Sequence, residues 1–392
     1  MIRQKCYRVA VPALTWGTEG QPLSASQYRL IALLEQAGPL SRSELADLSG
    51  MPRTTVTGVV GKLLRRSLVT EGAPAPLARG AGRPPRLVAV GTDQRLVAVL
   101  TRVRGGLRAA LATFAGEVVA ESSEEVAWPA HDLGSLLEPA TGQLTTTLRE
   151  AGLPAERVVA AVLSIPHPGR PSHTTARLEE RLDIPVFTEN DANMGALGEA
   201  TFGAGRGLGS LIHVMLGHNV GAGIVIGGRL HRGASGYAGE LAHVRVQDEG
   251  ALCTCGGRGC LSTVVGPSLL DFIQRAYAER LGVAEVLALA AEREPGVRRV
   301  FADLGRTVGR PLADLCTMLD PAVVVVDGSL GAATAPVIDG IRESIDRFAA
   351  PVVADSVRVV PGQLAERAEI LGGVALLRQR SLSAGFPSGD TA

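Results

Sequence analysis

The sequence predicts an α/β protein in which a small helical domain precedes a larger body. Residues 24–64 hold short helical patterns separated by turn signals, whereas from residue 96 onward apolar runs of strand length alternate with helical patterns. The chain has 392 residues, more than one core usually encloses, and its 46% hydrophobic content supplies the apolar material for two or three domains.

The apolar runs are too short to predict a membrane partner. The longest of them, such as residues 158–163, fall far below the roughly 18 residues that a membrane span needs. No stretch has the pattern of a targeting segment, so we expect a cytoplasmic protein that is nucleoid-associated through DNA. Residues 1–23 carry few order signals beyond Trp16 and are predicted to form a flexible arm.

The helical patterns of the N-terminal domain have recognisable beginnings. Ser24-x-x-Gln27 and Ser41-x-x-Glu44 have the spacing of capping boxes, in which a serine hydroxyl and the side chain three residues later satisfy free N–H groups at a helix start. Pro52 is predicted at the first position of a third helix, because its fixed φ suits that place. Short helices joined by tight turns are typical of a helix-turn-helix.

The third helix is predicted to present a polar face near its N-terminal end. Its buried stripe consists of Val56, Val59, Val60, Leu63 and Leu64. This stripe leaves Arg53, Thr54 and Thr57 outward, where a recognition helix meets base edges and phosphates, and places Thr55 within reach of a phosphate. These four residues are therefore the predicted DNA contacts of the helix.

A strand, a loop and a second strand follow the third helix. Leu68–Thr70 and Arg86–Val90 fit the strands, and the Pro-, Gly- and Arg-rich segment between them fits a wing, so residues 24–90 are predicted to be a winged helix-turn-helix. Arg83 and Arg86 are predicted to contact phosphates or the minor groove, whose negative potential attracts arginine. A basic linker between two domains is the alternative that this segment leaves open.

Charge is distributed unevenly along a chain whose net charge is zero. Residues 1–88 contain twelve Arg and Lys against five Asp and Glu, which leaves 27 against 34 for the remainder. A basic domain favours a polyanionic partner, because each neutralised phosphate releases condensed counterions. Charge alone also permits a solvated basic face without a partner, and the helix pattern is what favours double-stranded DNA.

The body, residues 91–392, is predicted from alternating patterns. Apolar runs at Val158–Ile165 and Val323–Val326 indicate buried strands, and amphipathic patterns at Pro336–Ala349 and Glu366–Arg378 indicate helices. This alternation is typical of a layered α/β fold.

Three of the five cysteines fall within eight residues, and a histidine lies ten residues upstream of the first. Four N and S donors close a tetrahedral Zn²⁺ site and leave no position for water. A disulfide is the alternative, but three thiols leave one unpaired and nothing predicts an oxidising compartment. We therefore predict one structural zinc ion bound by His243, Cys253, Cys255 and Cys260.

Two motifs near this cluster resemble one known family. The run Gly227–Glu240, followed by His243 and the cysteines, and the segment ENDAN at residues 189–193 are similar to the motifs of the ROK family, which holds bacterial sugar kinases and sugar-responsive repressors. The resemblance begins near Leu96. It implies an actin/hexokinase-like body with two lobes and a ligand cleft, and a homodimer or homotetramer that would bind a pseudo-palindromic operator.

The nucleotide-binding motifs of the family's kinases are altered in this sequence. The resemblance places the first phosphate loop where Thr101, Val103 and Gly105 replace Asp, Gly and Thr, and residues 217–223 and 327–331 also depart from the kinase pattern. A phosphate loop needs unobstructed backbone N–H groups and a carboxylate that organises Mg²⁺. We therefore predict that the chain is not an enzyme.

The sugar-binding motif is largely retained. The resemblance assigns Asn190, Asp191, Glu240 and His243 to an effector site whose polar groups hydrogen-bond sugar hydroxyls, although Ser262 stands where the family usually has glutamate. The sequence therefore predicts a DNA-binding repressor that senses a carbohydrate or a sugar-derived molecule. Two alternatives are an active sugar kinase with a fused DNA-binding module and a DNA-binding dimer whose body is only a scaffold.

Overall fold

The computed structural model describes residues 24–65, 68–74, 86–90, 95–103, 105–126, 136–165, 173–216, 220–265, 273–274, 277 and 281–383. The predicted N-terminal arm and the predicted wing loop with Arg83 lie outside these residues.

A small helical domain with one antiparallel sheet stands at the N-terminus of the described chain. Its elements are α1 (Ala25–Ala37), β1 (Leu40–Ser41), α2 (Arg42–Ser49), α3 (Arg53–Arg65), β2 (Val69–Pro74) and β3 (Arg86–Val90). The strand order is β1-β3-β2. Leu30, Leu45 and Val60 belong to one apolar cluster that joins the helices to the sheet. The order of elements and the sheet make this domain a winged helix-turn-helix, as predicted.

Both predicted capping boxes are present. Ser24 Oγ accepts a hydrogen bond from the Gln27 N–H at 3.4 Å, and Gln27 Oε1 accepts one from the Ser24 N–H at 2.8 Å. Ser41 and Glu44 repeat the arrangement at 3.2 and 2.7 Å, and their hydrogen bonds lower the pKa of the Glu44 carboxyl. These reciprocal bonds fix where α1 and α2 begin, which sets the geometry of the whole domain.

The first lobe of the body is a mixed sheet covered by helices. Its elements are β4 (Leu96–Val103), β5 (Gly106–Thr113), β6 (Val118–Glu125), α4 (Leu137–Glu150), β7 (Val158–Ile165), α5 (His173–Leu182) and β8 (Val186–Asn190). The strand order is β6-β5-β4-β7-β8. Because β4, β7 and β8 are parallel, their carboxyl ends meet at one edge of the sheet. Asn190, the last residue of β8, is thereby placed at that edge.

The second lobe repeats the same strand arrangement. Its elements are β9 (Ser210–Leu216), β10 (Val220–Ile226), β11 (Arg229–Leu230), α7 (Val283–Ala291), α8 (Pro295–Leu319), β12 (Val323–Val326), α9 (Thr334–Phe348), α10 (Pro351–Ser356) and β13 (Arg358–Pro361). The order β11-β10-β9-β12-β13 again places antiparallel hairpins on one side and parallel strands on the other. The two lobes match the architecture that the family resemblance implies.

Two helices cross between the sheets with almost no space between their backbones. They are α6 (Asp191–Phe202), which follows β8 directly, and α11 (Ala368–Ser383). A Cβ added at Gly198 would lie 2.1 Å from the carbonyl oxygen of Ala368, and one added at Gly372 would lie 1.8 Å from that of Met194. Glycine is therefore required at both crossing points.

A cavity of about 860 Å³ separates the winged helix from the body. Leu34 and Pro39 line it from the winged helix, and Phe202, the last residue of α6, lines it from the body. The Arg378 guanidinium carbon lies 5.3 Å from the centre of the Phe202 ring. Thus α6 extends from the cleft, where it begins, to the junction with the winged helix.

Predicted elements of the body are present, although some boundaries were wrong. Helix α11 spans Ala368–Ser383 rather than Glu366–Arg378, because a 3₁₀ turn at Ala365–Arg367 comes first. Helix α3 begins at Arg53, so Pro52 stands before the helix instead of at its first position. No helix in the described part of the chain is long and apolar enough to cross a membrane.

Candidate effector pocket, metal cluster and DNA-binding face

A small polar pocket opens at the N-terminal end of α6. Its volume is about 130 Å³. Asn190 and Asp191 line one wall, and the loop that follows β11 supplies Glu240 and His243 on the opposite wall, with Ser262 beside them. The fold thus brings the four residues predicted for effector contact into one pocket, although about fifty positions separate the two pairs in the chain.

The first wall is held by the start of α6. Asn190 is the N-cap residue, and its Oδ1 accepts a hydrogen bond from the Asn193 N–H at 3.1 Å. Asp191 Oδ1 accepts one from the Ala192 N–H at 2.8 Å. A carboxylate is stabilised at this position because the helix dipole concentrates positive charge at the N-terminus. The wall therefore offers fixed polar groups to a ligand with hydroxyls.

The second wall is a 3₁₀ turn, Leu241–His243, directly after Glu240. Glu240 Oε2 lies 3.8 Å from His243 Nε2, and each of these side chains is a little over one quarter exposed. The other ring nitrogen of His243, Nδ1, lies 3.5 Å from Cys253 Sγ. His243 consequently touches the pocket with one nitrogen and the cysteine cluster with the other.

The four predicted metal ligands lie together. One donor atom from each of His243, Cys253, Cys255 and Cys260 falls within 4.8 Å of all the others. In a tetrahedral zinc site, thiolates at about 2.3 Å from the ion are about 3.8 Å apart, and a thiolate and an imidazole nitrogen are about 3.6 Å apart. Cys255 and Cys260 have their sulfurs 3.7 Å apart, and Cys253 Sγ is 3.5 Å from His243 Nδ1. This donor set fits Zn²⁺.

The thiol environments differ within the cluster. Hydrogen bonds from the Cys255 backbone and the Ser262 hydroxyl lower the pKa of Cys253 to about 5. Burial and the neighbouring thiols raise the pKa of Cys260 to about 11. A divalent cation among these sulfurs would hold all of them as thiolates, because its charge outweighs their mutual repulsion.

Ser262 connects the pocket to the cluster. Its Oγ lies 3.3 Å from Cys253 Sγ, and the residue also lines the pocket. The family's glutamate at this position would extend further into the 130 Å³ space than a hydroxymethyl group does. The serine therefore leaves space in the pocket beside Glu240 and His243.

The segment aligned with the first phosphate loop is a hairpin whose backbone is already paired. β4 and β5 are in register from Leu96 and Thr113 to Val103 and Gly106. Val103 is the last residue of strand β4. The side chain of Thr101 is buried. Among the described residues of this segment, Val103 carries a bulky side chain where the kinases have glycine.

The described residues predicted to contact DNA are exposed. Arg53, Thr54, Thr55 and Thr57 are all exposed on the first turns of α3, while the intervening Val56 is fully buried. Arg86 is exposed at the start of β3. An exposed helix start of this kind, with one cation and several hydroxyls, can enter a major groove.

Two carboxyl groups near the pocket have partners that the sequence analysis did not identify. Glu189 is 4% exposed, and its Oε2 accepts a hydrogen bond from Arg232 Nη2 at 2.6 Å. Glu369 Oε2 accepts a hydrogen bond from Ser164 Oγ at 3.0 Å, and burial, followed by the charge of Asp191, raises the pKa of Glu369 to about 8. Each partner is remote in sequence, so no local pattern could have identified these pairs.

Comparison with known proteins gives the family of the chain. A family model described as "ROK family" matches residues 157–380, and one described as "MarR family" matches residues 21–79. The chain belongs to the ROK family. The first match covers more than half of the sequence, and the second covers most of the winged helix that the ROK body carries at its N-terminus.

The relatives of this ROK chain include repressors and kinases. The xylose repressor of Bacillus spizizenii is 24% identical over 361 residues, covering 88% of this chain and 93% of that protein. The glucokinase of Streptomyces coelicolor is 34% identical over 225 residues, covering 52% of this chain and 70% of that protein.

A solved structure shares the whole architecture. The crystal structure of a ROK family transcriptional regulator, a homologue of the Escherichia coli Mlc protein, matches with a TM-score of 0.74 and 24% identity, covering 92% of this chain and 96% of that one. At this identity the likeness establishes the fold: a winged helix joined to a ROK body with two lobes.

Proposed function

We propose that this chain is a DNA-binding transcriptional repressor whose ROK body binds a carbohydrate-type effector. The exposed row formed by Arg53 and the three threonines of α3 carries the proposal, because it stands at the groove-facing end of a helix in a winged helix-turn-helix. The full-length similarity to a xylose repressor supports the same function. The proposed domains are an arm at residues 1–23, a DNA-binding domain at 24–90 and an effector domain at 91–392.

The pocket supports a sugar-type ligand over a scaffold role for the body. Asn190, Asp191 and Glu240 offer amide and carboxylate groups that match vicinal hydroxyls. A scaffold would not need these polar groups in a pocket, whereas a ligand with hydroxyls would hydrogen-bond to them. The replacement of the family's Asp, Gly and Thr by Thr101, Val103 and Gly105 supports the absence of kinase activity, although Asp191 matches the kinases' general base. We infer a cytoplasmic homodimer or homotetramer on a pseudo-palindromic operator.

The cysteine cluster supports one structural zinc ion as the cofactor. His243 and the three cysteines would hold it, and the ion would fix the turn that carries Glu240. We expect about one zinc per chain by metal analysis, and we expect Cys255→Ser to lose the ion and melt at a lower temperature. Cys316→Ser, at a buried thiol outside the cluster, is the matched control and should keep its zinc. A fully stable wild type without metal would contradict the assignment.

Arg53→Ala tests the DNA-binding face. A good base contact is worth roughly 1–3 kcal/mol, so the variant should bind wild-type-selected DNA about tenfold more weakly or worse. Arg65→Ala, at the exposed far end of α3, should leave the sequence preference unchanged. In vitro selection of bound fragments, followed by titration of the selected DNA, measures both. An Arg53→Ala protein with wild-type affinity and preference would place the reading surface elsewhere.

A further inference from the structure

Glu189 is a buried carboxylate whose two oxygens are held from different parts of the chain. Its Oε2 accepts hydrogen bonds from Arg232 Nε at 2.9 Å and Nη2 at 2.6 Å. Its Oε1 accepts one from Asn193 Nδ2 and one from the Asn190 N–H, both at 3.0 Å. A charge taken out of water in this way is stable only because charged and polar donors surround it. Glu189 thereby ties Arg232 to the beginning of α6.

Arg232 belongs to the loop that carries the opposite wall of the pocket. Its carbonyl oxygen accepts a hydrogen bond from the Ala238 N–H at 3.1 Å, which closes the loop on itself. At the end of the loop, Gly239 O accepts one from the Ala222 N–H at 3.1 Å, and a Cβ on Gly239 would lie 2.1 Å from Ala222 O. Glu240 follows at once, so Arg232 and Glu240 belong to one loop that is closed on itself at one end and held against β10 at the other.

We propose that Glu189 and Arg232 are a positioning pair that fixes the two walls of the effector pocket relative to each other. One partner precedes Asn190 and Asp191, and the other precedes Glu240 and His243, so the ion pair bridges the elements that carry the contacts without itself touching the ligand. The inference rests on the proposed effector site. The ion pair would preorganise the pocket, because a loop that is already in place does not have to be ordered when a ligand binds.

A third charged residue keeps Glu189 compensated when Arg232 is removed. The charges of Arg232 and Glu189 both act on the Arg380 guanidinium, which packs over the Phe187 ring at 4.9 Å. The Arg232 side chain is 39% exposed, so its truncation opens no closed cavity. We therefore expect Arg232→Ala to fold, with Glu189 still facing Arg380, Asn193 and the Asn190 N–H. This makes it the variant of choice.

The test compares Arg232→Ala with Arg232→Lys and with Arg229→Ala, an exposed arginine three residues earlier. Amide hydrogen exchange is measured on peptides covering residues 231–243, and binding of D-glucose and D-xylose is measured by calorimetry. In Arg232→Ala we expect the loop to adopt its binding-competent conformation in only about a tenth of the molecules. The affinity for whichever sugar the wild type binds should then fall about tenfold, and the hydrogen exchange of the loop amides should rise. Arg232→Lys should recover part of both, and Arg229→Ala should match the wild type.

DNA affinity and melting temperature separate positioning from general damage. Arg232→Ala should bind DNA as the wild type does, because the winged helix is untouched. The inference would be overturned if Arg232→Ala showed the same amide exchange and sugar affinity as Arg229→Ala. It would also be overturned if Arg232→Ala lost DNA binding at the same time as the loop lost its protection from exchange. If the wild type binds neither sugar, the effector assignment fails, and the exchange of residues 231–243 still decides whether the pair holds the loop.

Discussion

The side of the cleft that aligns with the family's sugar site (the sugar side) and the side that aligns with its kinases' phosphate loops (the nucleotide side) lie on the same two lobes, but their polar residues are arranged differently. On the sugar side, Asp191 and Glu240 converge on one pocket from separate elements. On the nucleotide side, Thr101 is buried and Val103 stands where the kinases have glycine. The fold is the same for both sides, so it alone does not decide the activity; the side chains at each site do.

Glu369, at the start of α11, is a carboxyl group whose ionisation is suppressed by its surroundings. Burial, followed by the charges of Asp191 and Asp327, raises its pKa to about 8. Its Oε2 accepts a hydrogen bond from Ser164 Oγ at 3.0 Å. Near neutral pH this group is therefore mostly protonated and adds little negative charge to the cleft.

The largest expected effect is on turnover. ATP and Mg²⁺ with D-glucose, N-acetylglucosamine, D-mannose or D-xylose should give no phosphorylated sugar above background, whereas kinases typically turn over at roughly 1–100 per second. The reason is positioning, since a base such as Asp191 contributes little without a held γ-phosphate. A coupled assay with Asp191→Asn as control measures it. Sustained turnover that this variant abolishes would break the comparison between the two sides.

Glu369→Gln tests the suppressed ionisation of this carboxyl group through stability. A carboxyl pKa of about 8 in the folded chain exceeds the usual value of 4.5, so the folded state binds the extra proton between these values. Stability of the wild type should therefore fall relative to the variant as pH rises from about 5 to 8, by up to about 1.4 kcal/mol per pH unit. Urea melts at several pH values measure this slope. Glu366→Gln, on an exposed side chain, is the control, and parallel curves for wild type and Glu369→Gln would refute the account.

The smallest expected effect concerns the space beside Ser262. Ser262→Glu restores the family's residue next to Glu240 and His243, and one recovered hydrogen bond to a charged group should strengthen binding of a plain hexose about tenfold. Thr263→Glu, next to it in the chain, is the control. Calorimetry with D-glucose measures both proteins. Weaker binding by Ser262→Glu, with zinc retained, would show that the serine pocket is already complete for its ligand.

Features that depend on neighbours in sequence could be predicted. Ser24 and Ser41 begin helices as their spacing indicated, because a capping box needs only residues three apart. The cysteine cluster was accessible for the same reason, with three donors within eight residues. The confirmed fold class and the family resemblance rest on such local motifs. The roles of the zinc, DNA and effector residues stay predictions.

Features that depend on distant neighbours could not be predicted. Glu189 and Arg232 are 43 residues apart, and Ser164 and Glu369 are 205 apart. Nothing in the sequence near Glu189 distinguishes a buried carboxylate from a solvated one, because its burial is set by α6 and the loop that folds over it. The start of α11 was also missed by two residues, since the 3₁₀ turn before it has helical composition.

Helix α6 can convert a small movement at the pocket into a larger displacement under the winged helix. Its 12 residues reach from the pocket at Asp191 to the cavity at Phe202 under the winged helix, and a helix of this length is about 18 Å long. A tilt of about 5° at one end displaces the other by about 1.6 Å, which exceeds the tolerance of a van der Waals contact. A rotation too slight to alter the outline of the pocket is thus large on the scale of the contacts that Phe202 makes.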